Sequence, residues 1–232
     1  MHAASSYRSF WISVLAGLAA VLLWDAAGLD LAMAHWFGSA SGFAWRDNLW
    51  GTRILHDGAQ RAGWVFMLCL TLAIFWPVGA LRRLTRTERG QMVLLTLLAL
   101  TAIAVIKGTS RTSCPWDLAE FGGQSLYVSH WALGVRDGGG GHCFPAGHAS
   151  TGFAMLAGYF SLRDKAPRAA RIWLVTALVL GFCLGLVQQV RGAHFMSHTL
   201  WTAWICWTVA GVAHLLLQQR AARRKASTPA LP

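Results

Sequence analysis

One stretch near the middle of the chain reads Gln91-Met-Val-Leu-Leu-Thr-Leu-Leu-Ala-Leu-Thr-Ala-Ile-Ala-Val-Ile106 and runs directly into Lys107. It carries no charged residue before that lysine. A membrane-spanning helix needs about 20 predominantly apolar residues, so we expect this run to extend into its flanks. The stretch therefore predicts a helix that crosses a membrane and carries a cation at one end.

Six stretches of the chain are apolar enough, at least marginally, to form such helices. The sequence predicts an all-α, polytopic membrane protein with six transmembrane helices, because lipid leaves every backbone polar group to find a partner inside the protein. Residues 1–220 are expected to form this single domain, and 221–232 a basic, disordered tail. The six stretches are Phe10–Ala27, Ala62–Ala80, Gln91–Ile106, Phe144–Leu162, Ile172–Val187 and Thr199–Leu217.

The overall composition separates this chain from soluble proteins. Of its 232 residues, 55% are hydrophobic and only 12% are charged. Soluble domains average roughly 25% charged residues, so an ordinary soluble enzyme and a disordered chain are both excluded. The net charge of +11 would by itself suggest a nucleic-acid-binding protein. The positions of the charges decide whether that interpretation is needed.

Lysines and arginines are concentrated on one side of the predicted helices. That side holds thirteen of the twenty, against two acids, whereas the other side holds seven cations and seven acids. The positive-inside rule makes the basic side cytoplasmic, and six crossings then place both termini there. The net charge therefore reflects the orientation of the helices in the membrane, and no nucleic-acid partner is expected. The thirteen cations are Arg8, Arg82, Arg83, Arg86, Arg89, Arg163, Lys165, Arg168, Arg171, Arg220, Arg223, Arg224 and Lys225.

Several polar residues that a lipid-facing helix would not need lie at the outer ends of the helices, opposite the basic side. Ionisable groups brought to one side by different helices are a functional-site hypothesis by default. Lys107 and Arg111 share a helical spacing of four residues, and so do His194 and His198. The set comprises Lys107, Arg111, His148, Gln188, Gln189, Arg191, His194 and His198.

Phosphate is the ligand that these residue types fit best. Its oxygens need cations and N–H donors, and its transfer needs a nucleophile and a proton donor. The run Pro145-Ala146-Gly147-His148 at a predicted helix start offers such N–H groups. Two alternatives remain open. One is a metal site built from histidines and a carboxylate, which the nearby cations oppose. The other is that the histidines lie at the interface without chemistry.

These residues resemble the type 2 phosphatidic acid phosphatase (PAP2) superfamily of integral membrane lipid phosphatases, whose pattern is KxxxxxxRP, PSGH and SRxxxxxHxxxD. The first block here reads Lys107-Gly-Thr-Ser-Arg111-Thr-Ser-Cys114-Pro115, with a cysteine where the family has arginine. The second has Ala146 in place of serine. The third, His194-Phe-Met-Ser-His198, has histidine where the family has aspartate, and Gln188 stands at the family's arginine position. Arg111 and Arg191 each lie about one turn away from the expected positions.

The resemblance implies a mechanism and a role for each residue. His194 is the nucleophile and forms a phosphohistidine, and His148 protonates the leaving oxygen and then activates water. His198 orients His194. The phosphate is expected to bind Lys107, Arg111 and Arg191 together with the backbone of Ala146 and Gly147, with Gln188 and Asp117 as supporting residues. A rival alignment makes His198 the nucleophile and puts Thr202 in the aspartate position. Neither a metal nor another cofactor is expected.

Two of the five cysteines lie on the outer side, each beside one of these blocks. Since the blocks have to meet around one phosphate, and an oxidising periplasm permits disulfides, we hypothesise that Cys114 pairs with Cys143. A separation of their Cα atoms well above 7 Å would exclude the bond.

The resemblance therefore predicts a phosphatase of the bacterial inner membrane with its site facing the periplasm. Its substrate would be a lipid phosphate or diphosphate, such as undecaprenyl diphosphate, phosphatidylglycerol phosphate, phosphatidate or lipid A, and membrane lipids would be its other partners. Two alternatives stay open: a phosphotransferase acting between lipids, and a non-catalytic anion-binding or transport protein. The sequence predicts no oligomeric state.

Overall fold

A computed structural model describes residues 2–48 and 58–227 of the chain, and almost all of their regular structure is helical. The only strands in these residues are β1 (Gly38–Ser39) and β2 (Gly42–Phe43), which form a small antiparallel ladder. The helices are α1 (His2–Ala26), α2 (Leu29–Ala34), α3 (Gly58–Leu72), α4 (Arg86–Thr109), α5 (Gly147–Phe153), α6 (Leu156–Leu162), α7 (Pro167–Val190) and α8 (Met196–Ser227).

Within the described residues, four helices are long and apolar enough to cross a membrane. These spans are Tyr7–Ala26, Arg86–Thr109, Pro167–Val190 and Met196–Arg224, and they correspond to four of the six predicted stretches. The chain is thus a mostly helical protein, and several of its helices have the length and composition of membrane spans. The second and fourth predicted stretches have a different local structure.

The second predicted stretch, Ala62–Ala80, is helical only as far as Leu72, so its predicted end was wrong. Pro77 has no N–H to donate, and the residue before a proline avoids the helical region, so the chain leaves the helix ahead of it. Backbone carbonyls that lose their helical partners after this helix end accept hydrogen bonds from the guanidinium of Arg89 instead. Its Nε and Nη2 donate to the carbonyl of Ile74 at 3.1 and 2.9 Å, and its Nη1 donates to the carbonyl of Leu84.

The fourth predicted stretch is two short helices, α5 and α6, separated by a turn at Ala154 and Met155. The N–H of Met155 donates to the carbonyl of Gly152, a tighter pairing than an α-helix has. The carbonyl of Met155 accepts a hydrogen bond of 2.7 Å from Nε1 of Trp173 on α7. A residue from the neighbouring helix therefore satisfies a backbone group at this break.

The last helix is longer than the sequence indicated. It continues to Ser227, so 221–227 of the tail that we expected to be disordered are helical. This segment contains alanine, arginine and lysine, all of which favour helix. The remainder of that tail, 228–232, lies outside the described residues.

The alternating direction of the helices separates two ends of the bundle. At one end, which we call the arginine end, Nζ of Lys165 lies 2.6 Å from a carboxylate oxygen of Glu88 at the start of α4. At the other, which we call the histidine end, α4 and α7 finish and α5 and α8 begin. The three blocks of the sequence pattern therefore meet at the histidine end.

Small residues allow α5 and α7 to pack closely. A Cβ atom on Gly152 would lie 2.3 Å from the backbone nitrogen of Gly181, which is too close for any side chain. Close backbone approach through glycine is the usual way in which membrane helices pack together. The glycine pair therefore sets the distance between the helix that bears His148 and α7.

We expect Gly152→Ala to lower the free energy of unfolding by about 1–3 kcal/mol, because the added methyl group forces the two backbones apart. Thermal unfolding of the purified protein in detergent would measure this. Gly90→Ala on α4 is the matched control, since a Cβ there meets no atom within 4 Å. The control should be neutral or stabilising by up to about 1 kcal/mol. Equal stability of both variants would show that the close approach is not tight.

Candidate active site

A cavity of about 660 Å³ lies at the histidine end between α3, α4 and α5. Its polar side chains come from all three blocks of the sequence pattern, and the rest of its wall is largely apolar. The polar lining includes Lys107, His148, Gln188 and His194, and the apolar lining includes Trp64, Phe66, Met67, Leu97, Leu100, Ala104 and Trp116.

Lys107 at the end of α4 lies against the start of α5. Its Nζ donates to the carbonyl of His142 at 2.5 Å. A Cβ atom on Gly147 would be 3.4 Å from Cδ of this lysine, so the lysine stem passes directly over that glycine. The lysine stem therefore lies at contact distance from the first turn of α5, beside His148, the next residue of that helix.

His194 lies in the short connection between α7 and α8 and is almost fully buried, with 4% of its surface exposed. Its Nδ1 is 3.4 Å from Nδ1 of His198 and 3.6 Å from Sγ of Cys143. Burial, followed by the positive charge of Lys107 and the neighbouring histidines, lowers the pKa of His194 well below its ordinary value. The imidazole is therefore neutral at pH 7, as a nucleophile has to be.

The two histidines of the third block have different environments. His194 lines the cavity, whereas His198 is enclosed by the aromatic rings of Phe144, Phe195 and His130. The hydroxyl of Thr202 donates to the backbone carbonyls of His198 and Ala146, at 2.7 and 3.2 Å, and neither bond orients the imidazole ring of His198. This arrangement favours the alignment in which His194 faces the ligand and His198 lies behind it.

Two of the expected phosphate contacts lie in other environments. Ala146 is fully buried, and its N–H, which the resemblance assigned to phosphate, donates to the carbonyl of His198 at 3.2 Å. Arg111 is exposed, lies beside a smaller recess and donates to the carbonyl of Gly134 at 2.8 Å. Helix α4 ends at Thr109, so the helical spacing that would align Arg111 with Lys107 is lost.

The other expected residues support the cavity wall. Arg191 is buried and donates to the side-chain oxygen of Gln188 at 3.1 Å, and its guanidinium lies 5.8 Å from the ring centre of Trp116. Both of these neighbours line the cavity. Asp117 accepts a hydrogen bond from the N–H of Cys114, which makes it a cap for the short turn that follows Pro115. Neither Arg111 nor Arg191 is among the described residues that line the cavity.

A disulfide bond joins Cys114 and Cys143, with their Cα atoms 5.2 Å apart. This separation is within the range that a disulfide requires. The bond ties the loop after α4 to the segment that leads into α5. The N–H of Trp116 donates to the carbonyl of Gly192 at 2.9 Å, so the same loop is also attached to the third block.

Two buried carboxylates that our site prediction did not include hold this end of the bundle together. Asp30 on α2 accepts hydrogen bonds from Nε1 of Trp24 at 2.8 Å, from the N–H of Ser197 at 3.0 Å and from the hydroxyl of Ser197. Asp25 accepts from Nε1 of Trp201 at 2.9 Å. Acidic residues at the end of an apolar segment were the signal that could have identified them.

We expect Asp30→Ala to destabilise the protein by roughly 1–3 kcal/mol, because buried donors at the first turn of α8 lose their acceptor. Thermal unfolding in detergent would measure the change. Asp164→Ala is the matched control, since that carboxylate is 67% exposed and lies 3.9 Å from Nε of Arg163. We expect the control to change stability by less than about 0.5 kcal/mol. A similarly small change for Asp30→Ala would contradict the structural role.

Comparison with known proteins supports the family resemblance. The family model described as the PAP2 superfamily matches residues 90–222, which is more than half of the chain and includes all three blocks. Comparison with curated proteins and with solved structures finds no significant match. Since members of this family are generally phosphatases, the match indicates a hydrolase of phosphate esters. The chain belongs to the PAP2 superfamily.

Proposed function

We propose that this protein hydrolyses a lipid phosphate or diphosphate through a phosphohistidine intermediate. One observation carries the proposal: a single cavity combines Lys107, His148 and His194 with a long apolar wall. A lipid phosphate has the same two parts, an anionic headgroup and an apolar tail. The headgroup would bind at the polar end, with the tail along the wall.

The apolar wall also offers a route from the membrane into the site. Trp64 on α3 and Leu97 on α4 line the cavity and are 70% and 43% exposed. In a membrane, such surfaces face lipid tails. A substrate could therefore enter sideways between these helices, with its tail in contact with lipid throughout.

The proposed reaction has two steps. Nε2 of His194 attacks phosphorus, the bond from phosphorus to the ester or anhydride oxygen breaks, and His148 gives that oxygen a proton. His148 then takes a proton from water, whose oxygen attacks phosphorus and releases phosphate from His194. Nδ1 of His194 faces His198, so the hydrogen bond between them would keep Nε2 free for the attack.

Lys107 provides the positive charge closest to the reacting group in this proposal. Arg191 contributes through its contacts with Gln188 and Trp116, and its Nε and Nη2 also donate to the backbone carbonyl of Arg46 at 3.4 and 3.2 Å. Arg111 takes no part, because its guanidinium is bound to the loop at Gly134. Glutamine and cysteine at the family's two arginine positions thus leave Lys107 as the main anion-binding cation.

The proposed location is the bacterial inner membrane, with six crossings, both termini in the cytoplasm and the site facing the periplasm. The charge distribution supports this orientation, because the arginine end carries the excess of cations. The disulfide at the histidine end fits an oxidising compartment. The substrate candidates are undecaprenyl diphosphate, phosphatidylglycerol phosphate, phosphatidate and lipid A.

We expect His194→Ala and His148→Ala each to lower phosphate release by a factor on the order of 1,000 or more, because each removes a group that reacts. His198→Ala should lose less, roughly 10- to 100-fold, because it removes only an orienting contact. Phosphate release from the four candidate lipids in detergent, with and without EDTA, would measure this. An active His194→Ala beside an inactive His198→Ala would make His198 the nucleophile. Activity that requires zinc after EDTA treatment would contradict the metal-free mechanism.

We expect Ala104→Trp to raise KM for long-chain lipid phosphates about tenfold or more, because the indole fills the cavity one turn below Lys107. A water-soluble phosphate ester with a short chain should be affected much less. Val105→Trp is the matched control, since Val105 is on the same helix, is 61% exposed and is not among the described lining residues. If both substrates lost activity equally in Ala104→Trp, the wall would not be the binding site of the tail.

A further inference from the structure

Three potential metal ligands lie together beneath the cavity. Cys143, His194 and His198 each offer one ligand atom, and these atoms all lie within 4.8 Å of one another. In the folded chain Cys143 is bonded to Cys114, so its sulfur cannot act as a thiolate. We propose that Cys143, when its thiol is free, forms a zinc-type metal site with His194 and His198, and that the disulfide keeps this site closed.

Two of the three distances between these ligand atoms match those in a tetrahedral zinc site. Bonds of about 2.3 Å to sulfur and about 2.0 Å to nitrogen put the ligand atoms roughly 3.3–3.6 Å apart. Here Sγ of Cys143 is 3.6 Å from Nδ1 of His194, which in turn is 3.4 Å from Nδ1 of His198. Two edges of the tetrahedron are therefore present before any metal binds.

The chemistry of the three groups also suits a metal. A thiolate and two neutral imidazoles are the ligands that zinc prefers. All three residues are buried, with at most 4% of the surface of each exposed, so little water competes with them. Lys107 opposes a divalent cation, and the thiolate charge offsets that repulsion. In the disulfide form this negative charge is missing.

The site opens by ordinary thiol–disulfide exchange. A dithiol supplies two electrons and two protons, becomes a disulfide itself and leaves Cys114 and Cys143 as thiols. The metal then displaces the proton of the Cys143 thiol, and a general base in the solvent takes it up. A newly made chain needs no reductant, because its thiols are free until the disulfide forms.

The metal would stop the reaction of the proposed function, on which this consequence rests. Both Nδ1 atoms would bind the ion, so the hydrogen bond between His194 and His198 would be replaced by two metal bonds. The imidazole of His194 would then be tilted and would carry the charge of the cation, which weakens Nε2 as a nucleophile.

The test compares two variants that both lack the disulfide. Cys114→Ser keeps Cys143 and the two histidines, whereas Cys143→Ser keeps the thiol that is not one of the three ligands. Each purified variant is titrated with Co²⁺, and absorption by charge transfer from thiolate to cobalt is recorded. The free cysteines Cys69, Cys183 and Cys206 are present in both variants and contribute equally.

We expect Cys114→Ser to bind one Co²⁺ with the thiolate absorption, at an affinity roughly tenfold or more above that of Cys143→Ser. Zn²⁺ should displace the cobalt. Identical titrations of the two variants, or no thiolate absorption in Cys114→Ser, would overturn the proposal. If that variant does not fold, the same comparison is made with the wild type before and after reduction by a dithiol. In that experiment, a titration that reduction leaves unchanged would contradict the proposed metal site.

Phosphate release gives a separate readout. Zn²⁺ should inhibit Cys114→Ser at least tenfold, with recovery in EDTA, and should leave Cys143→Ser and the oxidised wild type at their own activities. The cobalt spectrum needs no turnover, so an inactive protein that still binds the metal would contradict only the proposed function. A protein that is active but does not bind the metal would contradict only the metal site.

Discussion

The structure at the histidine end depends on one constraint: polar groups that are buried have to find their hydrogen-bond partners within the protein. The start of α8 meets this constraint through Asp30, which accepts hydrogen bonds from the backbone and hydroxyl of Ser197. Ala146 meets it by donating to the carbonyl of His198. These bonds fix the positions of His194 and His198, and they also use the backbone group that the sequence pattern assigned to phosphate.

Three of the departures from the family pattern can be explained by the contacts that the replacing residues make. The cysteine at an arginine position forms a disulfide with Cys143, and the glutamine at the other arginine position accepts a hydrogen bond from Arg191. The histidine at the aspartate position lies 3.4 Å from His194. Cys114 is bonded to the segment before the second block, whereas Gln188 and His198 have their partners within the third block, and all three contacts lie around His194.

In this arrangement, the surroundings of the proposed catalytic histidine depend on whether Cys114 and Cys143 are joined by their disulfide. Sγ of Cys143 is 3.6 Å from His194, so the disulfide is in contact with the imidazole and also anchors the loop after α4. A carboxylate in place of His198 would attract cations in every redox state. With two imidazoles, the proposed site needs the thiolate, and its affinity for metal depends on oxidation.

The sequence by itself determined the helical membrane class, the family and the meeting of three blocks at one end, because hydropathy and motif order are local properties of the chain. It also predicted the pairing of Cys114 with Cys143. Only the tertiary structure decided that Arg111 lies outside the cavity, that the N–H of Ala146 is occupied and that Asp30 supports α8. Those outcomes depend on where α4 ends and on contacts between residues far apart in the chain, such as Asp30 and Ser197, which no local spacing encodes.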